Sequence, residues 1–432
     1  MDAKTLAEIV KGELVGSGRF GGVHFDSREI AKGELFIPVK GRRDGHLFIN
    51  DAFSRGAAGT LTERRVELPP GKFQVVVRDT LEAFERLARW KREKFKGTVI
   101  GVTGSVGKTT TKELLGKLLG RNCYTSKKSF NNLLGVCYTL SNLPESARFL
   151  VQELGTNSPG EIARLTKTVK PHVAVVTTVG KAHTQGFKTL EAIKKEKLSI
   201  TEGAEVAVVP VELKEMCRAD KCLTVGRGGT VEVKNWGIKG GRTLFTLKAG
   251  KEELQLESSI PGYSIVNAAA VAAAVALELG IPLRELVKVV REFSPPKHRC
   301  SVERLPNGTL IDDCYNANPV SMENAVRVLA SFNGPKVAVL GEMLELGEEG
   351  PKEHRKLGEL LNALGIEELI AFGAQTEETV KTFKGKGFHF TNREEFIKFI
   401  SEFPFRGKTV LVKGSRGNRL EEAVELIRER LK

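Results

Sequence analysis

A chain of 432 residues, 41% hydrophobic and 28% charged, has the balance of a globular protein in water and is too long for one ordinary core; length alone favours about three domains. No apolar run nears the roughly 20 residues of a membrane-spanning helix, and Met1-Asp2-Ala3-Lys4 does not open a signal peptide; a cytoplasmic protein is expected, its six cysteines reduced because they form no C-x-x-C pair or metal-ligand spacing. The net charge of +14 raises nucleic acid as a partner, but Lys and Arg alternate with Glu, as in Lys352-Glu353-His354-Arg355-Lys356, which better suits an ion-pair-rich surface or a multi-anionic small substrate.

Residues 1–96 read as a small α/β domain. After Val23-His24-Phe25-Asp26-Ser27-Arg28 come two expected strands, Gly33–Val39 and Phe73–Val77, and a helical pattern from Leu81 to Lys96. The Asp26-Ser27-Arg28 turn offers a hydroxyl and a guanidinium to an anion, although such a trio more often only caps a turn.

Residues 97–297 hold the plainest chemistry. Val99 to Thr103 is a β-branched apolar run, Gly104-Ser105-Val106-Gly107 a turn, and Lys108-Thr109-Thr110-Thr111 the start of a helix. Strand, loop and helix in that order make a phosphate-binding loop. Gly104 and Gly107 let backbone N–H groups approach phosphate oxygens, and the helix adds its unpaired N–H groups and dipole. Lys108 would reach the β- and γ-phosphates, and the Thr109 hydroxyl would hold Mg²⁺. Val102 stands where the strict G-x-x-x-x-G-K-[ST] pattern has its first glycine, so the match is to the shorter T-G-S-x-G-K-T-T.

Further strands are expected at Phe149–Val151, Val173–Val176 and Val206–Val209, alternating with helices as in a mainly parallel sheet. Glu153 then lies at a strand's carboxyl end, where a carboxylate can hold Mg²⁺ opposite Thr109. His183 falls on the loop after the next strand and Lys197 on the helical run Leu190 to Thr201; by themselves such a histidine and lysine read as ordinary core or surface. From about Leu223 to Leu256 short alternating runs with Gly turns suggest an antiparallel appendage. Helix resumes at Ser264, and Pro295-Pro296 marks a linker. Residues 298–432 repeat the strand–helix alternation, with strands expected at 336–340, 368–372 and 409–412 and helices at Ser321–Ser331 and Glu421–Leu431. The expected fold class is α/β in three domains: a central phosphate-loop domain with a mainly parallel sheet, a small N-terminal α/β domain and a C-terminal Rossmann-like domain.

The phosphate loop, Phe130-Asn131-Asn132-Leu133-Leu134-Gly135-Val136, Glu153-Leu154-Gly155, Gly180-Lys181-Ala182-His183 and Glu196-Lys197 together resemble the Mur ligases, ATP-dependent amide-forming enzymes of peptidoglycan synthesis. Asp312-Asp313-Cys314-Tyr315-Asn316-Ala317-Asn318-Pro319 with Ser321-Met322, and Leu340-Gly341-Glu342-Met343 with Glu345-Leu346-Gly347 and His354, resemble the member that adds D-alanyl-D-alanine. The resemblance implies that residues 1–96 bind the UDP-sugar, 97–297 bind ATP, and 298–432 close on ATP and take the incoming dipeptide. It implies ATP contacts from Gly104, Ser105, Gly107, Lys108, Thr109 and Thr110, and Mg²⁺ ligation by Thr109, Glu153 and His183. Lys197 matches a lysine that several members carry as a carbamate, an anion able to hold a second Mg²⁺. Asn267 matches an asparagine near the adenosine, Arg299 an arginine that the third domain directs at phosphate, and Asp313 a carboxylate on the ribose or ATP side. Ser27 and Arg28 would face the UDP-sugar, Asn131 and Asn132 would lie on the substrate side, and Tyr315, Asn316, Asn318 and Ser415 would line the dipeptide pocket. The sequence departs from the family in two places: Tyr263-Ser264 replaces a usual His-Asn, and Thr184-Gln185 replaces the Leu-Glu that usually follows the histidine.

The implied reaction joins UDP-MurNAc-tripeptide to D-Ala-D-Ala while ATP is cleaved to ADP and phosphate, in a chain expected to be monomeric. Two rivals stand beside it. A Mur-type ligase of another step (MurE-like) or a folylpolyglutamate synthetase would share the loop, Glu153 and His183 but not the Asp312–Asn318 stretch. A basic P-loop ATPase acting on nucleic acid would account for the charge.

Overall fold

The computed structural model describes residues 1–181 and 184–432, for residue 184 the backbone alone. By its internal contacts the chain divides into two compact units: residues 1–101, 119–156 and 161–173 form the first, and 102–118, 157–160 and 174–432 the second. Three sheets run through them, in an α/β fold.

The first sheet has strands β1 (Glu13–Val15), β2 (Val23–His24), β3 (Leu35–Phe36), β4 (Gly59–Thr62) and β5 (Phe73–Val76) in the order β1-β5-β4-β3-β2. All its pairings are parallel except β1 with β5. The run expected from Gly33 to Val39 narrows to the two residues of β3. The helix Thr80–Lys94 starts where the Asp79 carboxylate accepts the Glu82 N–H at 2.8 Å. It buries Ala83, Phe84, Leu87 and Ala88 along one face, and Lys91, Arg92 and Lys94 in its last turn complement the negative end of its dipole.

The second sheet contains β6 (Thr98–Thr103), β7 (Cys123–Thr125), β8 (Phe149–Glu153), β9 (Val173–Val176), β10 (Val206–Pro210), β11 (Lys221–Val225), β12 (Val231–Lys239), β13 (Arg242–Ala249) and β14 (Glu252–Ser258). Their order is β14-β13-β12-β11-β10-β9-β6-β8-β7. In β6, Val99, Ile100 and Val102 are all fully buried, the mark of a strand covered on both faces, and that explains its unbroken apolar run. The antiparallel appendage begins later than the sequence pattern indicates. Leu223 lies in β11, which pairs in parallel with β10 and with β12, and the antiparallel pairing of the appendage begins with β12–β13 and continues in β13–β14. Its β13 alternates as a half-covered strand should, burying Thr243, Phe245, Leu247 and Ala249.

The third sheet is ordered β15-β16-β20-β17-β18-β19, from β15 (Ser301–Leu305), β16 (Gly308–Asp313), β17 (Lys336–Gly341), β18 (Glu368–Phe372), β19 (Lys386–Phe390) and β20 (Lys408–Lys413). Only β15 runs antiparallel. Successive residues serve opposite layers: Ile311, Ala338, Leu340, Leu369 and Leu411 pack with the helices Pro319–Ala330 and Gly350–Ala363. Leu310, Val337, Val339, Ile370, Val410 and Val412 pack with Arg393–Glu402 and Glu421–Leu431. Sequence reading finds β17, β18 and β20 but misses β15, β16 and β19: the edge strands β15 (Ser-Val-Glu-Arg-Leu) and β19 (Lys-Gly-Phe-His-Phe) are only half buried and lack an apolar run, while in the interior strand β16 the apolar run is only Leu310-Ile311 before Asp312-Asp313. Among the described residues no helix is long and apolar enough to cross a membrane.

Candidate active site

In the second unit the phosphate loop spans residues 104–107, between β6 and the helix Lys108–Leu119. Gly104 has φ +147° and Gly107 φ +88°, both costly for any residue with a Cβ. They differ in surroundings. A Cβ on Gly104 would stand 2.1 Å from the Thr177 hydroxyl oxygen, whereas one on Gly107 would meet nothing nearer than 3.9 Å. Gly104 therefore lets the loop close on the protein, and Gly107 keeps open the space an anion needs.

The segment after β9 clamps this loop. The Ser105 N–H donates to the Thr178 carbonyl at 2.6 Å, and the Ser105 hydroxyl donates to the Gly180 carbonyl at 2.9 Å while accepting the Gly180 N–H at 3.2 Å. The Thr177 hydroxyl donates to the Val106 carbonyl at 2.6 Å. Thr178 extends the chain of contacts, its hydroxyl accepting from the Asn267 amide at 3.2 Å. Asn267 thus reaches the loop through Thr177–Gly180, a clamp that carries no sequence signal beyond two adjacent threonines at a strand end. Ser105, expected to serve the nucleotide, spends its hydroxyl and its N–H on the clamp. The Lys108 ammonium folds back over the loop, donating to the Gly104 carbonyl at 2.7 Å. Thr109 is buried and Thr110 half buried in the first helical turn.

Lys197 is 2% exposed on the helix Leu190–Leu198, and its neighbour Glu196 accepts the Gly160 N–H at 2.7 Å. His183 lies outside the described residues. Lys181, just before it, reaches Glu349 at 2.7 Å and Glu353 at 3.2 Å at the start of the helix Gly350–Ala363, a contact with no sequence signal.

The remaining expected residues of this unit gather at the carboxyl ends of β16 and β20. The Asp313 carboxylate accepts the Cys300 N–H at 3.0 Å through one oxygen and the Lys413 ammonium at 2.7 Å through the other. Lys413 also donates to the Asn316 carbonyl at 2.9 Å. The Arg299 guanidinium lies 4.1 Å over the Tyr315 ring, and the Arg416 guanidinium 5.8 Å from it, within the range of cation–π attraction. Asn318 caps the helix Pro319–Ala330, accepting the Ser321 N–H at 2.9 Å. The Ser415 hydroxyl accepts the Leu344 N–H at 2.9 Å and is buried. Tyr315 and the exposed Asn316 thus offer surface to a ligand, while Asn318 and Ser415 shape the loops around it.

The first unit holds Ser27, Arg28, Asn131, Asn132 and Glu153. The Asp26 carboxylate grips Arg28 at both oxygens, 2.9 and 2.6 Å, and also accepts the Arg28 N–H at 3.0 Å. These bonds hold its pKa at about 2. Arg28 is tethered this way yet 79% exposed along its side chain, a cation presented to solvent in a fixed direction. Ser27 is buried and bonded to Asp51. The rings of His24, Phe25, Phe130 and Tyr138 interlock with centroids 5.0 to 5.8 Å apart, joining this turn to the loop that carries Asn131 and Asn132. Lys127, which sequence reading passes over, donates to the Tyr138 hydroxyl at 3.0 Å. Asn132 caps the helix Leu133–Ser141, and the Asn131 amide donates to Glu153 at 2.9 Å. Glu153 is 1% exposed, a carboxylate kept in the interior at a strand's carboxyl end.

Profiles for the Mur ligase middle domain and for the Mur ligase glutamate ligase domain match residues 102–276 and 298–416. The chain belongs to the Mur ligase family. A Mur ligase from Bacillus subtilis named UDP-N-acetylmuramoyl-tripeptide–D-alanyl-D-alanine ligase is 33% identical over 98% of this chain and 97% of its own. Among solved Mur ligases, the MurF of Acinetobacter baumannii superposes with a TM-score of 0.90 at 31% identity, covering 99% of this chain and 98% of that one. The Thermotoga maritima MurF ligase, solved in complex with ADP, gives 0.83 at 30% identity over 95% and 97%.

Proposed function

We propose that the chain is an ATP-dependent ligase that joins D-alanyl-D-alanine to UDP-MurNAc-tripeptide, giving UDP-MurNAc-pentapeptide, ADP and phosphate. Full-length similarity to ligases of that name carries the reading: 33% identity across 98% of this chain. The work divides among residues 1–96 for the UDP-sugar, 97–297 for ATP and 298–432 for the dipeptide, in a cytoplasmic monomer.

A carboxylate is a poor acyl donor because its leaving group would be oxide. Transfer of the ATP γ-phosphoryl to the tripeptide's terminal carboxylate converts that oxide into phosphate. The dipeptide amine then attacks the acyl carbon, the bond to phosphate breaks, and inorganic phosphate leaves as the nitrogen gives up a proton. Lys108, already turned over the loop, exchanges the Gly104 carbonyl for phosphate oxygens and neutralises charge on the group in transit. Arg299 meets the same phosphates, and Asn267 orients the adenosine. The Asp313–Lys413 pair fixes the turn from Tyr315 to Asn318, along which the dipeptide lies. Arg28 and Ser27 meet the UDP-sugar, with Asn131 and Asn132 beside them.

Mg²⁺ prefers hard oxygen ligands, which the Thr109 hydroxyl, the buried Glu153 carboxylate and Lys197 once carbamylated would supply, and the family resemblance adds His183 as a ligand. When bound, Mg²⁺ screens the phosphate charges from one another.

The test is phosphate release from ATP with UDP-MurNAc-tripeptide present and D-Ala-D-Ala added last, followed by the product mass. A mass increase of one dipeptide is expected. Equal turnover with single amino acids, or turnover driven by nucleic acid instead, would refute the assignment.

A further inference from the structure

Between Pro296 and β15 the backbone turns left-handed twice, at His298 (φ +61°) and at Cys300 (φ +52°). Neither is glycine; histidine enters that region more often than most side chains, cysteine does not, and two such residues within three positions are uncommon. Such conformations persist only where neighbours over-determine them, and they cluster at functional sites.

The neighbours here are the paired carboxylates that end β16. The His298 ring meets Asp312 at 2.8 Å through Nδ1, and since an ionised carboxylate only accepts, Nδ1 carries the proton. The other Asp312 oxygen accepts the Cys314 N–H at 3.3 Å. One residue beyond Arg299, the Cys300 N–H donates to Asp313 at 3.0 Å. The His298 carbonyl accepts the Tyr315 N–H at 3.1 Å, and the Arg299 N–H turns back to the Pro296 carbonyl at 3.2 Å. Arg299 is thus held on both sides, and its guanidinium lands on the ring of Tyr315, 4.1 Å away, the residue whose own N–H closes the turn.

The ligand atoms of His298, Asp312 and Cys314 all lie within 4.8 Å of one another. A metal is not needed to explain them. Two ligands at about 2.0 Å from one tetrahedral ion sit roughly 3.3 Å apart, and the His298–Asp312 contact is shorter than that, at hydrogen-bond length.

We propose that His298 and Asp312 are a positioning pair for Arg299: their contact locks the linker in its double left-handed turn, and that turn decides where the guanidinium is delivered. Neither residue touches the substrate. The proposal rests on the assignment of Arg299 to the ATP phosphates.

The experiment is a double-mutant cycle of His298→Gly and Arg299→Ala in the full-length enzyme, with kcat and the KM for ATP measured at saturating UDP-MurNAc-tripeptide and D-Ala-D-Ala. Glycine tolerates φ +61°, so His298→Gly removes the ring without forcing the backbone, and the melting temperature serves as its folding control. The expected result is a tenfold or greater loss in kcat/KM for ATP in His298→Gly and no further loss when it is added to Arg299→Ala. His298→Asn should recover activity to within about threefold of wild type, because asparagine accepts a left-handed φ and can donate to Asp312. If His298→Gly does not fold, Asp312→Asn takes its place in the cycle, since it offers one acceptor oxygen where two are used. Wild-type kcat and KM in the clasp variant, or a loss that simply multiplies with that of Arg299→Ala, overturns the proposal. Wild-type kinetics in Arg299→Ala overturns it too, and that outcome separately marks the phosphate assignment of Arg299 as the step that failed.

Discussion

Two side chains show how much one residue's surroundings decide. In the proposed reaction Lys108 is the group on which phosphoryl transfer depends, and its half-exposed ammonium donates to the loop's own Gly104 carbonyl. Lys108→Ala should therefore lower phosphate release on the order of 10³-fold while the melting temperature stays within a few degrees of wild type. His354 is the opposite case. Its Nε2 accepts the Met343 N–H at 3.2 Å and its Nδ1 faces the Thr379 hydroxyl at 2.9 Å, so the ring is the Nδ1–H tautomer, neutral and fully buried. Burial pulls its pKa down to about 4 from 6.5. The unfolded chain then binds more protons than the native one between those values, so stability falls as pH drops from about 6.5 to 4. The full loss is of order 3 kcal/mol at 1.36 kcal/mol per unit. Melting temperature against pH should drop more steeply over that window in wild type than in His354→Gln; parallel curves would refute the assignment. Sequence reading puts Lys108 at the start of the helix after the loop, where the structure has it, because that placement is local. It does not tell that Ser105, Asn318 and Ser415 bond to the protein itself, since their partners at Gly180, Ser321 and Leu344 become neighbours only through folding or a cap.

At the scale of elements, the phosphate loop works because a strand, a glycine turn and a helix start follow one another within a dozen residues. Its two glycines separate structure from chemistry. Gly104→Ala drives a methyl into Thr177, so it should cost both stability and activity, with a drop in melting temperature well beyond that of Gly107→Ala. Gly107→Ala, with open space around it but φ +88°, should cost about 1 kcal/mol of stability from backbone strain and at least 100-fold in the apparent affinity for ATP. Equal melting temperatures in the two variants would contradict the different surroundings. The helices Thr80–Lys94 and Glu421–Leu431 and the strands β9 and β18 are legible because a continuous period of 3.6 or a dense β-branched run specifies them. The hairpin β15–β16 is not, because the edge strand β15 is in half-contact with solvent and needs no such run, and β16 has its second partner, β20, about a hundred residues further on.

Within the second unit, the loop after β9 and the helix Gly350–Ala363 meet through Lys181, Glu349 and Glu353, and the Gln185 N–H bonds the Glu345 carbonyl at 3.1 Å. Lys181 holds Glu349 more acidic than a free glutamate. The pair is partly exposed, so solvent screens it and its worth is small. Lys181→Ala should therefore lower kcat/KM by no more than about fivefold at low salt. That difference should vanish at 0.5 M salt, where the screening length falls to roughly 4 Å, and a salt-independent deficit would mean that Lys181 acts other than through its charge.

What sequence alone determines here is whatever depends on residues close in the chain: the α/β class, the strand–loop–helix of the phosphate loop, and Glu153 at the end of β8. The family's motifs extend that reading to Asn267, Arg299 and Asp313. Tertiary structure decides which of these groups remain available to a ligand, because hydrogen bonds are saturable and their partners come from distant segments. The Asp313 carboxylate goes to Cys300 and Lys413, and Arg299 takes its direction from a clasp that Asp312 completes across 14 residues. Burial is likewise a property of the packed chain. No local pattern distinguishes Lys197, in the interior, from the many lysines that remain in water.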